Sequence, residues 1–373
     1  MKILHLITSI DRGGAENHLS CLARGQKLKK NDVTIIYLKG NNYWKKYFMS
    51  FGIKSINLST NNYSKLSFFK KIIFIRRFIK QNKIEILHSH LPHMELMSYF
   101  VLIFFDYKLK YFITKHVDNN FFGGSKFKNH SIFADLVNYI LTSKAKKIIC
   151  ISKAVEKYYS NNYFKLNRNK YEVIYYGIDK EYTNQLTSSK KIKTIPNKEI
   201  IFGSVGRLVK QKNFELLIES YKEFTKKTKK DSCFVIAGDG PEKKKLEAFA
   251  KSLNINHKII WMGHVNNVGK ILKKIDIFCM NSRFEGLGLV MIEAMFYLKP
   301  IIGPNISAIP EVVKNMQNGI VVEQNSVKYY TNAMLKLSNK KIRNKLSTKN
   351  KSILANKFNF DDMIDKTIKM YSN

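Results

Sequence analysis

The sequence of 373 residues is poor in acidic residues, arginine, cysteine and proline. It has 28 Asp and Glu against 65 Lys and Arg, a formal net charge of +37, and only eight of the 65 cations are arginines. Such an excess attracts phosphate-bearing partners of any kind: nucleic acids, anionic lipids or nucleotides. Lysine gives less bidentate recognition than arginine, and the alternative is that the excess reflects only an AT-rich coding sequence. Charge alone therefore does not choose among these partners.

The sequence also has no paired cysteines and no long apolar runs, and we expect no signal peptide. Its four cysteines are far apart, which excludes a CxxC motif and is typical of a reducing compartment. Residues 1–10 form a short apolar run without a cleavage region. The longest apolar runs, such as Tyr99–Phe105, are shorter than the roughly 18–20 residues that span a bilayer. We therefore expect a cytoplasmic protein without a membrane-spanning segment.

Short apolar runs alternate with longer amphipathic stretches along the whole chain, the pattern of βα units that build a parallel sheet. Around residues 184–196 this pattern stops, and the sequence becomes rich in Ser, Thr, Lys and Asn, as in a linker. We therefore expect an α/β protein with two Rossmann-like domains, residues 1–185 and 196–356, which face each other across a cleft. A final helix at about 360–373 is expected to pack back on the first domain.

Thirteen apolar runs are predicted to be strands. They are Ile3–Ile7, Val33–Leu38, Lys54–Leu58, Ile84–His88, Tyr111–Thr114, Lys147–Ile151 and Glu172–Tyr175 in the first half, and Ile200–Val205, Phe234–Ala237, Lys258–Trp261, Ile277–Met280, Pro300–Ile302 and Gly319–Val322 in the second.

A glycine pair, Gly13-Gly14, follows the first predicted strand and precedes a helix. Glycines at this junction allow a tight turn and let the amides of the helix N-terminus approach an anion or a sugar hydroxyl. The pair is not a GxGxxG fingerprint, and a plain βα turn is the alternative. We predict that this turn contacts a ligand.

A second loop between a strand and a helix carries Arg207 and Lys212. Two cations at the carboxyl end of a parallel strand, where open α/β sheets bind their ligands, can clamp a diphosphate whose negative charge grows as a bond to it breaks. In so lysine-rich a chain, Lys212 alone has the alternative of a solvated surface charge. Arg207 is one of only eight arginines, so the loop is predicted to bind phosphate.

The segment Ser282–Met295 combines two carboxylates with glycines. Glu285 ends the loop after a predicted strand, and the apolar run that follows the glycines predicts a helix that contains Glu293. The N-terminus of such a helix offers amides and a dipole to a phosphate, while Glu293 can accept hydrogen bonds from the two hydroxyls of a ribose. A helix cap is the alternative for Glu285, but it does not explain the second carboxylate within an apolar helix.

Glu285 and Glu293, eight residues apart, together with the loop of Arg207 and Lys212, resemble family 4 of the retaining glycosyltransferases. Residues 237–241 are similar to a turn in the second domain of that family, and the resemblance covers nearly the whole chain. It implies a GT-B fold, a nucleotide-sugar donor in the C-terminal domain, an acceptor bound largely by the N-terminal domain, and retention of the anomeric configuration.

The resemblance also assigns roles. Arg207 and Lys212 would hold the diphosphate, Glu285 the donor sugar and Glu293 the ribose. The full set of predicted donor-binding residues is Gly14, Arg207, Lys212, Glu285, Gly286, Gly288, Leu289, Val290 and Glu293. This chain departs from the family at Ser307–Ile309, where a glycine pair is frequent, which leaves the donor-sugar preference open.

Histidines mark the predicted ends of two strands in the first domain. His88, His90 and His93 suggest a metal site, yet a closed zinc site needs four converging ligands, and no Cys or acidic residue of suitable spacing lies nearby. No Asp-x-Asp pair follows a strand either, so we predict no metal and no cofactor. Similar histidines in the family lie near the acceptor and the anomeric carbon. We therefore predict that Gly13, His90 and His93 bind the acceptor and that His116 lies at the reacting sugar, with a structural histidine as the alternative.

Together these patterns predict a metal-independent transferase with His116, Arg207, Lys212 and Glu285 as catalytic residues. It would move a hexose or N-acetylhexosamine from a UDP-sugar, or less favourably a GDP-sugar, to a glycan hydroxyl in cell-surface polysaccharide or lipopolysaccharide synthesis. Two alternatives stay open. A GT-B epimerase would share the nucleotide clamp. A non-catalytic nucleic-acid-binding protein would explain the charge, but the paired carboxylates would repel a phosphate backbone, so no nucleic-acid partner is expected.

Cationic and apolar residues interleave over Lys70–Lys80, in a first domain rich in lysine and aromatic residues. This pattern predicts a lipid-linked acceptor and a peripheral position on the anionic inner face of the plasma membrane. An ordinary amphipathic core helix is the alternative.

Overall fold

The computed structural model describes residues 1–59, 67–103, 109–117, 132–161, 164, 166–187, 192–266 and 268–373. The chain divides into two compact units, Met1–Gly177 together with Phe360–Asn373, and Ile178–Asn359.

The first unit is a parallel seven-stranded sheet with helical connections. Its elements are β1 (Lys2–Ser9), α1 (Gly14–Leu28), β2 (Asp32–Lys39), α2 (Lys45–Ser50), β3 (Lys54–Asn57), α3 (Phe68–Asn82), β4 (Ile86–His90), α4 (Pro92–Ile103), β5 (Lys110–Lys115), α5 (Ile132–Ser143), β6 (Lys147–Cys150), α6 (Lys153–Ser160), β7 (Tyr171–Val173) and α15 (Phe360–Ser372). The strand order is β3-β2-β1-β4-β5-β6-β7. The order reverses between β1 and β4, and ligands of open α/β sheets bind at such a switch point.

The C-terminal helix α15 packs against α1 in the first unit. Its apolar residues recur with helical spacing, and Met363, Ile364 and Tyr371 are buried. Gly25 of α1 permits this contact, because a Cβ atom there would lie 2.4 Å from the Ile364 side chain and 3.0 Å from the Phe360 ring. A larger residue at Gly25 would therefore push α15 away from the first unit.

The second unit is a parallel six-stranded sheet. Its elements are α7 (Lys180–Gln185), β8 (Ile200–Val205), α8 (Phe214–Lys227), β9 (Ser232–Ala237), α9 (Lys243–Ser252), β10 (Ile259–Gly263), α10 (Val268–Lys274), β11 (Ile277–Cys279), α11 (Leu289–Phe296), β12 (Ile301–Pro304), α12 (Ile309–Val312), β13 (Gly319–Val322), α13 (Val327–Ser338) and α14 (Lys340–Lys357). The strand order is β10-β9-β8-β11-β12-β13, so the switch point lies between β8 and β11.

The predicted two-domain α/β organisation is confirmed, and all thirteen predicted strands are present. The fourth strand is Ile86–His90 rather than Ile84–His88, which places His90 inside the strand. The chain enters the second unit at Ile178, before the predicted end of the first domain at 185. The physical reason is that α7 packs within the second unit, where Gly269 N donates to Leu186 O at 3.0 Å. Residues 188–191 of the predicted linker lie outside the described residues.

Within the described part of the chain, no helix has the combination of length and hydropathy that a bilayer crossing requires.

Candidate active site

The switch point of the second unit brings two of the predicted site loops together. Because β8 and β11 are neighbours in the sheet, the loop after β8, with Arg207 and Lys212, meets the loop after β11, with Glu285. Arg283 N donates to Gln211 O at 2.7 Å, and Gln211 Nε2 donates to Phe284 O at 2.9 Å. These bonds fix the relative positions of the two loops before any ligand binds.

Lys212 and Glu285 form an ion pair across these loops. Lys212 Nζ donates to Glu285 Oε2, and each side chain is 16% exposed. The two residues are 73 positions apart in the sequence, so this contact exists only in the folded unit. A ligand with both an anionic group and hydroxyls could engage the two charged ends of the pair at once, the anion at Lys212 and a hydroxyl at Glu285.

The loop of Glu285 leads into the N-terminus of α11. Gly288 is its N-cap and has a φ of 77°, in the left-handed region that favours glycine. A Cβ at Gly288 would also lie 2.6 Å from the Met291 methyl group and 3.2 Å from Glu285 Cγ. Glycine here therefore lets the helix start close beside the Glu285 side chain. The amides of Leu289 and Val290 begin the helix, and Gly286 is buried in the loop before it.

Glu293 lies in the middle of α11 and is buried, with 4% of its surface exposed. Its Oε1 accepts a hydrogen bond of 2.5 Å from the hydroxyl of Tyr182, a residue of α7. Sequence reasoning missed Tyr182, because the predicted boundary placed α7 in the first domain. A local signal for the start of helix α7 was present, because Asp179 is its N-cap and accepts a hydrogen bond from Tyr182 N at 2.9 Å. The ribose contact predicted for Glu293 therefore has to coexist with, or replace, its bond to Tyr182.

Arg207 is exposed in the loop after β8. This loop is tied to the turn after β9, because Gly206 N donates to Ala237 O at 3.0 Å and Leu208 N donates to Asp239 O at 2.9 Å. Gly238 permits the approach, since it has a φ of +153° and a Cβ there would lie 1.8 Å from Gly206 O. The turn over 237–241, which carried part of the family resemblance, thus supports the backbone beneath Arg207.

In the first unit, the glycine pair lies where it was predicted, at the start of α1. Gly13 is the N-cap, and Asn17 N donates to its carbonyl at 2.8 Å. A Cβ at Gly13 would lie 2.4 Å from Glu16 Oε2, and Ser9 Oγ donates to Glu16 Oε1 at 2.7 Å. Gly14 is exposed, and a Cβ there would meet nothing within 4 Å. The turn is therefore open at Gly14, while the Glu16 carboxylate lies against Gly13.

His90 and His116 come together, whereas His93 does not join them. His90 ends β4, His116 follows β5, and His90 Nδ1 lies 3.1 Å from His116 Nε2. Both rings are buried, while His93 is exposed on α4. The other nitrogen of His116 is hydrogen-bonded to the Tyr176 hydroxyl, and the other nitrogen of His90 lies 3.0 Å from His5 Nδ1. In this arrangement a direct contact of His90 or His116 with a sugar requires one of these hydrogen bonds to be exchanged.

Sequence reasoning missed His5, His18 and Tyr176 as neighbours of these histidines. His18 stacks on Tyr176 with ring centroids 4.2 Å apart. His5 pairs with His88 in the parallel register of β1 and β4. His88 and His90 are two positions apart and therefore lie on one face of a strand, which was a signal that they are neighbours. The strand order was needed to show that His5 lies beside them.

Burial keeps these imidazoles neutral. Desolvation lowers the pKa of His5 from 6.5 to about 4 and that of His116 to about 3. It also lowers the pKa of His18, His88 and His90 well below the usual value.

Two groups of three imidazole nitrogens lie within 4.8 Å of one another, His5 with His88 and His90, and His18 with His90 and His116. Neutral imidazoles are good metal ligands. However, the contacts of 3.0 and 3.1 Å between the rings are hydrogen bonds that use the nitrogens a metal would need. Neither group includes a carboxylate or a cysteine.

One of the two parallel sheets holds a cation–carboxylate pair and a glycine-capped helix at its switch point. This combination is typical of α/β proteins that bind phosphorylated ligands. Two family models identify the class further. Residues 12–182 match the model described as Glycosyltransferase Family 4, and residues 187–353 match the model described as Glycosyl transferases group 1. The chain therefore belongs to the family 4 glycosyltransferases of group 1. This assignment favours a transferase over the epimerase and the nucleic-acid-binding protein.

Two relatives have names that specify a sugar linked to diphosphoundecaprenol. The chain is 25% identical over 316 residues to the Escherichia coli UDP-Gal:alpha-D-GlcNAc-diphosphoundecaprenol alpha-1,3-galactosyltransferase, covering 83% of this chain and 81% of that protein. It is 37% identical over 168 residues to the Campylobacter jejuni N-acetylgalactosamine-N,N'-diacetylbacillosaminyl-diphospho-undecaprenol 4-alpha-N-acetylgalactosaminyltransferase, covering 44% and 43% of the two chains.

The fold is shared with solved glycosyltransferase-like structures. Anabaena Alr3699/HepE in complex with UDP and glucose has a TM-score of 0.79 at 16% identity, with 100% of this chain and 99% of that chain covered. At this identity the likeness shows the fold alone, which is GT-B, as predicted.

Proposed function

We propose that this glycosyltransferase moves a hexose or N-acetylhexosamine from a UDP-sugar to a hydroxyl of a lipid-linked glycan, with retention of the anomeric configuration and without a metal ion. The observation that carries this proposal is the contact between Lys212 and Glu285 beside the Gly288-capped start of α11. It joins a cation for phosphate, a carboxylate for hydroxyls and helix amides at one switch point. The diphosphoundecaprenol-linked acceptors named for the two relatives support the lipid-linked acceptor, and the UDP complex supports the nucleotide.

In the proposed mechanism, binding of the donor rearranges the Lys212–Glu285 pair. The diphosphate attracts Lys212 and the exposed Arg207, which neutralise the charge that develops on the leaving phosphate. Glu285 then accepts hydrogen bonds from the donor sugar. The amides of Leu289 and Val290 lie at the N-terminus of α11. The positive end of the helix dipole at this position also stabilises the phosphate.

Bond breaking gives an oxocarbenium-like sugar and the nucleoside diphosphate. The acceptor hydroxyl attacks from the same face, and the leaving phosphate oxygen takes its proton, so the products are the new glycoside and the protonated diphosphate. Positioning and charge stabilisation account for the acceleration, and no protein general base is needed. The acceptor side is proposed to involve Gly13, His93 and the network that holds His90 and His116.

The position at an anionic membrane surface is proposed for the first unit. On α3, Ile72, Ile75, Phe78 and Ile79 are buried with core spacing, as the alternative predicted. However, Phe69 is 68% exposed and Ile73 46%, next to the exposed Lys70.

Exposed apolar residues continue from α3 onto neighbouring helices. The helix α4 contacts both α3 and α5. Ile103 of α4 and Ile132 and Phe133 of α5 are exposed as well. Exposed apolar residues on three adjacent helices, with the lysines of α3 beside them, suit a surface that inserts shallowly among anionic headgroups.

A thermal-shift screen against a panel of NDP-sugars tests the donor site. A ligand at 100 times its Kd stabilises the folded protein by about 2.7 kcal/mol. We expect UDP and UDP-sugars to raise the Tm of the wild-type protein and to lose this effect in Lys212→Ala. Lys226→Ala is the matched control, because it removes an exposed lysine that pairs with Glu223 within α8. Equal shifts in both variants, or no shift with any nucleotide sugar, would contradict the proposed site.

A further inference from the structure

Eight buried residues of the first unit form one continuous chain of hydrogen bonds. In order they are Tyr176, His116, His90, His5, Gln26, Tyr371, His88 and Thr114. They come from β1, α1, β4, β5 and the residue after it, the segment after β7 and the C-terminal helix α15. Each is at most 7% exposed.

Each imidazole in this chain couples the directions of the two hydrogen bonds that it makes. A neutral imidazole has one N–H and one lone pair, so a ring that donates at one nitrogen accepts at the other. Burial lowers the pKa of all four histidines, to about 4 for His5 and about 3 for His116. The rings are therefore neutral near pH 7, and the hydrogen bonds along the chain must all point the same way.

Gln26 determines which way they point. Its carbonyl oxygen, Oε1, lies 2.7 Å from His5 Nε2 and can only accept, so His5 Nε2 carries the hydrogen. His5 Nδ1 then accepts from His90 Nε2 at 3.0 Å. His90 Nδ1 in turn accepts from His116 Nε2 at 3.1 Å. His116 consequently has its hydrogen on Nε2 and accepts from the Tyr176 hydroxyl at Nδ1.

The same direction continues from the other end of the Gln26 amide to the C-terminal helix. Gln26 Nε2 donates to the Tyr371 hydroxyl at 3.3 Å, and this hydroxyl donates to His88 Nδ1. His88 Nε2 then donates to Thr114 Oγ1 at 2.7 Å. Turning the amide over would reverse every hydrogen bond in the chain. The orientation of Gln26 and the tautomer of His116 are therefore coupled across the sheet.

We propose that Gln26 is a positioning residue that, through His5 and His90, makes Nδ1 of His116 a hydrogen-bond acceptor. The kinetic consequence rests on the proposed function. A sugar hydroxyl that takes the place of the Tyr176 hydroxyl can donate to this nitrogen, whereas the reversed chain would present an N–H there. The tautomer thus decides which kind of contact His116 offers to a substrate hydroxyl.

The tautomers can be measured directly by long-range ¹H–¹⁵N NMR of the full chain labelled with ¹⁵N-histidine. In the wild-type protein we expect the hydrogen on Nε2 in His5, His90 and His116. In Gln26→Leu the acceptor is lost, and the nitrogen shifts of His116 should move toward a mixture of both tautomers. Gln26→Glu keeps an acceptor oxygen facing His5 and should restore the wild-type tautomer.

Two further variants keep the test decisive. Tyr371→Phe retains the ring but removes the partner of the amide, so it should also mix the tautomers, and it replaces Gln26→Leu if that variant does not fold. Tyr221→Phe is the control, because it removes a buried hydroxyl contact of 3.1 Å with Ser232 in the second unit. It should leave His116 unchanged. A hydrogen on Nδ1 of His116 in the wild type, an unchanged His116 in folded Gln26→Leu, or stoichiometric metal bound to the rings would overturn the proposal.

Kinetics then separate a positioning role from a structural one. Gln26→Leu should lower kcat about tenfold, the effect of one buried hydrogen bond, and leave the KM for the donor unchanged, since the predicted diphosphate and ribose contacts lie in the second unit. Gln26→Glu should recover most of the kcat. A wild-type kcat in Gln26→Leu with mixed tautomers would overturn the positioning role. The NMR measurement needs no activity, so failure of the proposed function is distinguishable from failure of this inference.

Discussion

Mild acid is expected to destabilise the first unit selectively, because it holds buried, neutral histidines: His5, His18, His88, His90 and His116. His5 and His116 have folded-state pKa values of about 4 and about 3, against 6.5 in the unfolded chain. Below pH 6.5 the unfolded chain therefore binds more protons than the folded protein. The contribution of these histidines to the free energy of unfolding is therefore fully present above pH 6.5. It is lost as the pH drops towards 4.

The magnitude follows from the pKa differences. Between pH 7 and pH 5, one histidine with a folded pKa near 4 or below loses about 2 kcal/mol of stability, so His5 and His116 together account for about 4 kcal/mol. The lowered pKa values of His18, His88 and His90 act in the same direction. This loss is a large fraction of the roughly 5–15 kcal/mol that stabilise a typical domain.

Hydrogen exchange at pH 7, 6 and 5, corrected for the intrinsic exchange rate, measures this effect strand by strand. The second unit is an internal reference, because its histidines, His257 and His264, are exposed. We expect the opening free energy of β1, β4 and β5 to fall steeply while that of β8, β9 and β11 changes little. His116→Gln should lose about 2 kcal/mol less between pH 7 and pH 5 than the wild type. Equal pH dependence in the two units would refute the reasoning.

Further predictions concern the donor site, the metal and the membrane. Arg207→Ala should lower kcat by about 100-fold, because it removes a charge that acts as the diphosphate leaves. Glu293→Gln should mainly raise the donor KM, since ribose hydroxyls do not react, and near wild-type kcat/KM in both folded variants would contradict the site. Activity should survive EDTA, and loss that Mn²⁺ restores would show a metal requirement. Sedimentation with anionic vesicles should exceed that with neutral vesicles and fall with salt, each surface cation contributing about 1 kcal/mol. Phe69→Ser should weaken it, and equal sedimentation with both lipids would argue against the membrane surface.

The fold could be predicted because its determinants are local. Strands of a parallel sheet are short apolar runs, and all thirteen were recognisable as such. The loop of Lys212 and that of Glu285 were also recognisable, since glycines and charged residues directly after strands form local patterns. Their contact follows once β8 and β11 are known to be neighbours.

The missed features depend on long-range packing. Tyr182 and Glu293 are 111 positions apart, and long-range contacts such as theirs show that α7 belongs to the second unit. The histidine chain joins residues from six separate segments, among them Tyr371, which lies 283 positions from His88. No periodicity or spacing relates such residues. The sequence therefore predicted His116 as a single residue at the sugar, whereas the structure places it within a buried network.

The central claim is transfer of a sugar from a nucleotide donor with retention. The most direct measurement incubates the full chain with α-linked UDP-hexoses and UDP-N-acetylhexosamines and a lipid-linked diphosphate sugar, and determines the product by mass spectrometry and NMR. We expect release of UDP and a new α-glycosidic bond. A β-linked product would contradict retention, and the absence of transfer from every UDP- and GDP-sugar to any such acceptor would contradict the proposed function.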